Sequence, residues 1–249
     1  MTAAHKIVTL GTSHGDPTLE RYNSSTLLEC NGKRYLLDAG APAAALLIRR
    51  GIAIQDLQGI FLTHMHEDHF GGLSGLLKHI VKYPPTSPVP VFLPEDRADV
   101  FLALLAASHR PATEKHMQFH MIRPGKIFDD GNISIEAVRT DHAANEKGTF
   151  PSYAFSITRQ GAGHYLHTGD LRSDFADFPA AYCTPETTCV CELTHYPWHC
   201  AEPVLKNIRL KKLIFTHIGN QWRSDAKFDL PYPAVIANDG DEFPEEPIL

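Results

Sequence analysis

Seven consecutive residues, Thr63-His64-Met65-His66-Glu67-Asp68-His69, constrain this chain more than any other stretch. They read His-x-His-x-Asp-His. The apolar run Gly59-Ile60-Phe61-Leu62 leads in as a buried strand would, and Phe70-Gly71-Gly72 leads out to Leu73, Leu76, Leu77 and Ile80 at helical spacing. The four polar residues are therefore expected on a strand-to-helix loop, where all can point at one spot. Three imidazoles and a carboxylate exceed what one tetrahedral ion takes, so the pattern predicts two metals that share further ligands from elsewhere.

The 249 residues, 43% hydrophobic and 21% charged, can bury the core of one large domain or two small ones. The amino terminus carries no apolar segment with a small-residue cleavage pattern, and no long apolar span follows, so a cytoplasmic location is expected. Cys30, Cys183, Cys189, Cys191 and Cys200 include no Cys-x-x-Cys pair, which points to reduced thiols rather than a disulfide framework or a separate zinc site. A net charge of -6 repels polyanions, and no basic run exceeds Arg49-Arg50 or Lys211-Lys212. A large RNA substrate is disfavoured.

Strands are expected over residues 7–10, 23–30 and 34–38, the last two joined at Asn31-Gly32, with helices over 43–50 and 72–82. His14 stands in a glycine-punctuated loop, where it faces either a ligand or solvent. Asp38 ends its strand, a place for a turn former or for a carboxylate that receives the free N–H of a metal-bound histidine. Proline-dense residues 84–90 exclude a helix before a strand at 91–93, and Val100, Phe101, Leu104 and Leu105 predict a core-facing stripe on a helix over 96–108. Further strands are expected over 117–122, 127–128, 133–138, 152–159, 164–166, 190–193 and 212–216, with a helix over 201–208. One event recurs: a strand, then a histidine or aspartate at its exit, at His64, His142, Asp170, His195 and His217. A lone histidine so placed says little. Five placed alike describe a site built along a sheet edge.

These residues resemble the five-part signature of the metallo-β-lactamase fold superfamily over nearly the whole chain. The resemblance implies that His64, His66 and His142 hold one metal, that Asp68, His69 and His217 hold the other, and that Asp170 bridges them. Asp38 matches the strand-end aspartate beside the metal loop. Gly11-Thr12-Ser13 with Pro17, Asn23-Ser24-Ser25, His167-Thr168-Gly169-Asp170 and Phe215-Thr216-His217-Ile218-Gly219 look most like the phosphodiesterase branch, which contains tRNase Z and the cyclic phosphodiesterase of phosphonate degradation. Two features depart from those relatives. Nothing between Asp170 and Leu193 resembles the insertion with which tRNase Z grips tRNA, and Thr18-Leu19-Glu20-Arg21-Tyr22 stands where the phosphonate-pathway enzyme has a cysteine cluster. The implied architecture is α/β, an αββα sandwich of two mixed sheets flanked by helices, and ligands from both halves imply one domain over residues 1–249.

The implied function is a binuclear metal-dependent hydrolase, foremost a phosphodiesterase acting on a small linear or cyclic phosphodiester through a metal-bridging hydroxide. Two ions roughly 3.5–4 Å apart bring the pKa of a shared water to about 7. Five histidines and two aspartates suit two zinc ions first, and also manganese or iron. The leaving alkoxide needs a proton. His199 and then His195, in the loop after Glu192, are the expected donors, and Asp68 is counted with them as catalytic. A carbonyl hydrolase of lactonase, thioesterase or β-lactamase type is the alternative, for which an apolar acyl pocket would speak, together with a tRNase Z-like endoribonuclease. No membrane partner is expected, and a homodimer is implied by the resemblance alone.

Overall fold

The computed structural model describes residues 5–142, 144–145 and 148–245. In order these form β1 (His5–Gly11), β2 (Ser25–Cys30), β3 (Lys33–Leu37), α1 (Ala43–Arg49), β4 (Gly59–Phe61), α2 (Glu67–Phe70), α3 (Leu73–Lys82), β5 (Val89–Leu93), α4 (Ala98–Ala107) and β6 (Met117–Met121). Then come β7 (Gly125–Asp129), β8 (Ile133–Thr140), β9 (Ala144–Asn145), β10 (Gly148–Thr149), β11 (Ser152–Arg159), β12 (Tyr165–His167), β13 (Thr188–Leu193), α5 (Trp198–Asn207), β14 (Lys212–Ile218), β15 (Ala234–Ile236) and β16 (Glu242–Glu245).

Two seven-stranded sheets result, ordered β16-β1-β2-β3-β4-β5-β6 and β15-β14-β13-β12-β11-β8-β7. Both are mixed. Pairing is antiparallel through β1, β2 and β3 and through β8, β11 and β12, and parallel from β3 to β6 and from β12 to β15, where helices or long segments make the crossovers. Strand alternation sorts the apolar side chains into layers. Leu27 and Leu36 face the helices α1, α3 and α4 with Ala43, Leu77 and Leu105, whereas Leu28, Tyr35 and Leu37 point between the sheets. There Phe61 stacks on Phe92 at 4.7 Å and meets Phe155 of the other sheet edge-on at 6.3 Å. A third layer packs α5, through Ala201 and Leu205, on Leu213 and Phe215. The fold is the expected αββα sandwich. Among the described residues no helix is long and apolar enough to cross a membrane.

The Asn31-Gly32 turn has φ of 50° and 78°, the pair of left-handed residues that a two-residue hairpin between twisted strands requires. Other local expectations need correction. On α4 only Phe101 and Leu105 are buried, while Val100 and Leu104 are 55% and 51% exposed, because a single stripe of the helix lies on the core. Strand β5 starts at Val89 and includes Pro90; β4 pairs only with Val91 and Phe92, so the missing proline N–H leaves no bond to β4 unmade. Helix α5 begins at Trp198, directly after Pro197. Strands β15 and β16 carry no clear apolar alternation and were not expected; each closes one edge of its sheet.

Candidate metal centre

The His-x-His-x-Asp-His stretch does not stay a loop. His64 and His66 lie in the segment after β4, and Glu67–Phe70 then closes one helical turn, α2, with His66 at its N-cap. That turn parts the motif into two halves. On one side His66 Nδ1 lies 3.0 Å from His64 Nε2 and 3.3 Å from His142 Nε2. On the other, Asp68 Oδ2 lies 3.0 Å from His217 Nε2 and 3.4 Å from His69 Nε2. Asp170 Oδ2 stands between them, 3.5 Å from His64, 3.6 Å from His142, 3.3 Å from His69 and 3.5 Å from His217. Among the described residues three groups able to hold an ion follow: His64, His66, His142 and Asp170; Asp68, His69 and His217; and Asp170, His195 and His217. The first two together use all seven expected ligands and leave His195 over. Both sheets deliver ligand-type side chains to one edge, since His64 follows β4 while His142, Asp170 and His217 belong to β8, β12 and β14 or to their exits.

The rings are aimed by buried partners. Asp38 accepts the Thr63 backbone N–H on Oδ1 and the His69 Nδ1–H on Oδ2, each at 2.8 Å. His142 donates Nδ1–H to the Leu171 carbonyl at 3.1 Å, and His64 Nδ1 meets Thr63 Oγ1 at 3.0 Å. With Nδ1 engaged, Nε2 of each ring faces the cluster. Asp38 and His217 have φ of 58° and 50°, left-handed conformations at the strand ends that turn their side chains out of the strand direction. Gly169 is required twice over. Its φ is +58°, and a Cβ there would stand 2.8 Å from Thr63 Cβ.

The electrostatics favour cations. Burial opposes charge on Asp170, yet the imidazoles of His217, His69 and His64 hold its carboxyl well below the usual range. Burial and the neighbouring His69 push His64 well below its ordinary value, leaving a neutral ring with a lone pair to offer. His69 Nε2 and Asp170 Oδ1 are buried without a hydrogen-bond partner among the described residues. Five imidazoles and two carboxylates form a donor set suited to zinc, manganese or iron.

The two expected proton donors part company. His195 is tied by Nδ1 to Glu192 Oε2 at 3.0 Å, and its ring centroid lies 4.4 Å from that of His142 and 5.1 Å from that of His217. Burial works against a charged ring there, but the Glu192 hydrogen bond and the charges of Asp170 and Glu192 prevail, and the pKa is raised to about 9. His199 is exposed in the first turn of α5 and belongs to none of the three groups, whereas His195 is in one. Glu192, 1% exposed, also accepts the backbone N–H groups of Leu171, Thr194 and His195, so it ties together two segments beside the cluster, the one after Asp170 and the one that carries His195. Thr63 and Leu171 were not singled out from the sequence as partners of the ligands, and only proximity in sequence to His64 and Asp170 hinted at them.

Two grooves flank the centre. One of about 350 Å³ runs from His64 and His66 along Met65, Phe70, Val100, Phe101, Phe150 and Pro151, with Glu95 and Arg97 as its charged groups. The other, about 510 Å³, is polar and includes Asp141, His142, Arg172, Ser173 and His195.

The chain is similar in sequence or in fold to several known proteins. The chain is 32% identical over 154 residues to ribonuclease Z of Crocosphaera subtropica (strain ATCC 51142 / BH68), a match that covers 61% of this chain and 47% of that protein. The chain thus spans about half the length of the first curated relatives it matches. Ribonuclease Z of Mycobacterium sp. (strain KMS) is 27% identical over 94% of both chains. Among solved structures, the metallo-β-lactamase fold protein YhfI of Bacillus subtilis superposes with a TM-score of 0.78 at 18% identity, over 97% of this chain and 99% of its own. A diphosphatase of the PhnP family gives 0.74 at 18% identity over 98% and 99%. The fold is that of the metallo-β-lactamase superfamily. Residues 5–197, from β1 to the loop that carries His195, match the family described as "Anti-Pycsar protein Apyc1"; with six of the seven cluster residues inside that span, the chain belongs to this family.

Proposed function

We propose that this chain is a binuclear metal-dependent phosphodiesterase acting on a small linear or cyclic phosphodiester. The observation that carries this reading is Asp170 Oδ2, which stands within 3.3–3.6 Å of four imidazoles drawn from both ligand groups. On this reading His64, His66 and His142 hold one ion, Asp68, His69 and His217 hold the second, and Asp170 serves both. Zinc is the proposed metal. Such ions supply Lewis acidity at the phosphoryl oxygens and a water acidic enough to attack near neutral pH.

The chain's own groups supply orientation and protons. His195, with Nδ1 held by Glu192, keeps Nε2 for the leaving oxygen and is the proposed donor ahead of His199. Grooves of about 350 and 510 Å³ match small ligands, and a net charge of -6 does not invite a polyanion. The ribonuclease Z relatives nevertheless make precursor tRNA a necessary comparison.

A second reading is carbonyl hydrolysis, and one observation favours it: the wall formed by Met65, Phe70, Val100, Phe101 and Phe150 is apolar, as an acyl pocket would be. The test is a panel of phosphodiesters, cyclic phosphates, lactones, thioesters, a β-lactam and precursor tRNA, offered to zinc-loaded protein. Fastest turnover of a small phosphodiester is expected. Faster lactone or thioester cleavage installs the second reading, and comparable cutting of precursor tRNA overturns the substrate size. In the same protein, Asp170→Ala should release both ions and His142→Ala should weaken one, read by elemental analysis. A single domain, a cytoplasmic location and a homodimer complete the proposal, the last checked by light scattering.

A further inference from the structure

Behind the metal centre, towards the sandwich interior, lies a chamber of about 10 Å³. Ser25 of β2, Thr216 and His217 of β14, and Asp170 after β12 contribute to its walls, with Leu37 and Val190 as apolar neighbours. Three of the cluster imidazoles, His64, His69 and His142, have Nδ1 within hydrogen-bond distance of a protein oxygen. His217 differs. Its Nε2 points to Asp68 at 3.0 Å, while Nδ1 is buried with no hydrogen-bond partner among the described residues. A ring that offers the Nε2 lone pair carries its proton on Nδ1, and a buried N–H without an acceptor is costly.

Four more buried polar atoms on residues that line the chamber lack partners among the described residues: His69 Nε2, which faces Asp68 and Asp170 in the cluster, and Ser25 Oγ, Thr216 Oγ1 and Asp170 Oδ1. Their residues are at most 7% exposed, so bulk solvent does not serve them. A single water needs roughly 10–15 Å³ and two to four polar partners. The chamber offers both.

We infer that this chamber binds one ordered water, which accepts the His217 Nδ1–H and one hydroxyl proton and donates to Asp170 Oδ1 and to the other hydroxyl. The water takes for His217 the place that Asp38 takes for His69 and the Leu171 carbonyl for His142. It also ties His217 to the shared carboxylate from behind. Ser25 and Thr216 are then positioning residues, acting on the centre only through the water.

The consequence for metal binding rests on the proposed metal centre, but occupation of the chamber does not. High-resolution crystal structures of the metal-free and zinc-loaded protein should therefore both show one density peak in the chamber. Zinc titrated against a chromophoric chelator should bind Thr216→Val and Ser25→Ala with one of its two affinities about 10–100-fold weaker, the cost usual for loss of an outer partner. The other affinity should stay at the wild-type value, and Thr216→Ser, which keeps the hydroxyl, should restore both. Thermal melts of the metal-free variants confirm that they are folded. An empty chamber in both crystals, or wild-type zinc binding by Thr216→Val, overturns the inference. A filled chamber in a protein that binds no zinc would uphold the water and refute the metal centre.

Discussion

Asp38→Asn isolates the contribution of a residue that touches no metal ligand except through a proton. Asp38 is 1% exposed and receives Thr63 N–H and His69 Nδ1–H, each at 2.8 Å. Asparagine keeps the volume and accepts the left-handed backbone at φ 58°, where most side chains would be strained. Its carbonyl oxygen can still take the Thr63 proton. Its NH2 group then confronts His69 Nδ1–H, donor against donor, and a hydrogen bond to a charged group worth about 1.5–3 kcal/mol is lost. His69 can repair the mismatch by moving its proton to Nε2. That nitrogen stands 3.4 Å from Asp68 and 3.3 Å from Asp170, where an ion requires a lone pair. Without metal the repair is harmless, since either carboxylate accepts the proton; with metal it is blocked. At about 1.4 kcal/mol per tenfold, affinity for the ion at Asp68, His69 and His217 should fall by roughly 10–150-fold. Urea unfolding of the metal-free variant should stay near wild type. Competitive zinc titration reads the first quantity. Wild-type affinity in a folded Asn variant would show that Asp38 does not set the His69 proton.

Other perturbations separate roles that share this neighbourhood. Gly169→Ala combines a left-handed φ with a 2.8 Å approach to Thr63 Cβ and should cost about 2 kcal/mol or more in thermal unfolding; Gly15→Ala, with no atom within 4 Å, should cost far less, and equal losses would refute the steric account. His195→Ala should slow an alkyl phosphodiester by about 10²–10⁴-fold but a nitrophenyl diester much less, because nitrophenolate departs without a proton. His199→Ala should leave both near wild type, and the opposite pattern would move the donor to α5. For Asp130, burial opposes charge, but Lys33, the backbone N–H groups of Ile133 and Asn132, and Tyr35 hold the carboxyl below its ordinary value. A depressed carboxyl stabilises above its unfolded pKa of about 3.9 and loses that contribution as pH falls through the lower folded value. Wild type should therefore lose more stability than Asp130→Asn between about pH 6 and pH 3, and parallel losses would remove the assignment.

What could be read from the sequence depended on how far each residue's partner lies along the chain. His64, His66, Asp68 and His69 announce themselves because four ligand-type side chains within six positions have little other use, and His142, Asp170 and His217 follow the same strand-exit rule. His195 and His199 could not be separated by spacing, since both follow the same strand. The choice between their positions is made by Glu192, whose carboxylate is bonded to the His195 ring and to two backbone N–H groups of the following turn, and by Pro197, after which α5 turns His199 to solvent. An acidic residue three positions before a histidine, at the end of an apolar strand, is a faint signal. Val100 shows the opposite error. Its place in an apolar stripe reads as core, yet it lines a groove beside His66, because a pocket wall and a core contact need the same side chains and differ only in what faces them. Ser25 and Thr216 sit at opposite ends of the chain, in two separate stretches that resemble the phosphodiesterase branch, and neither stretch points to the other. Their partnership exists only once β2 and β14, in different sheets, are brought to the same edge, and no local pattern encodes that meeting.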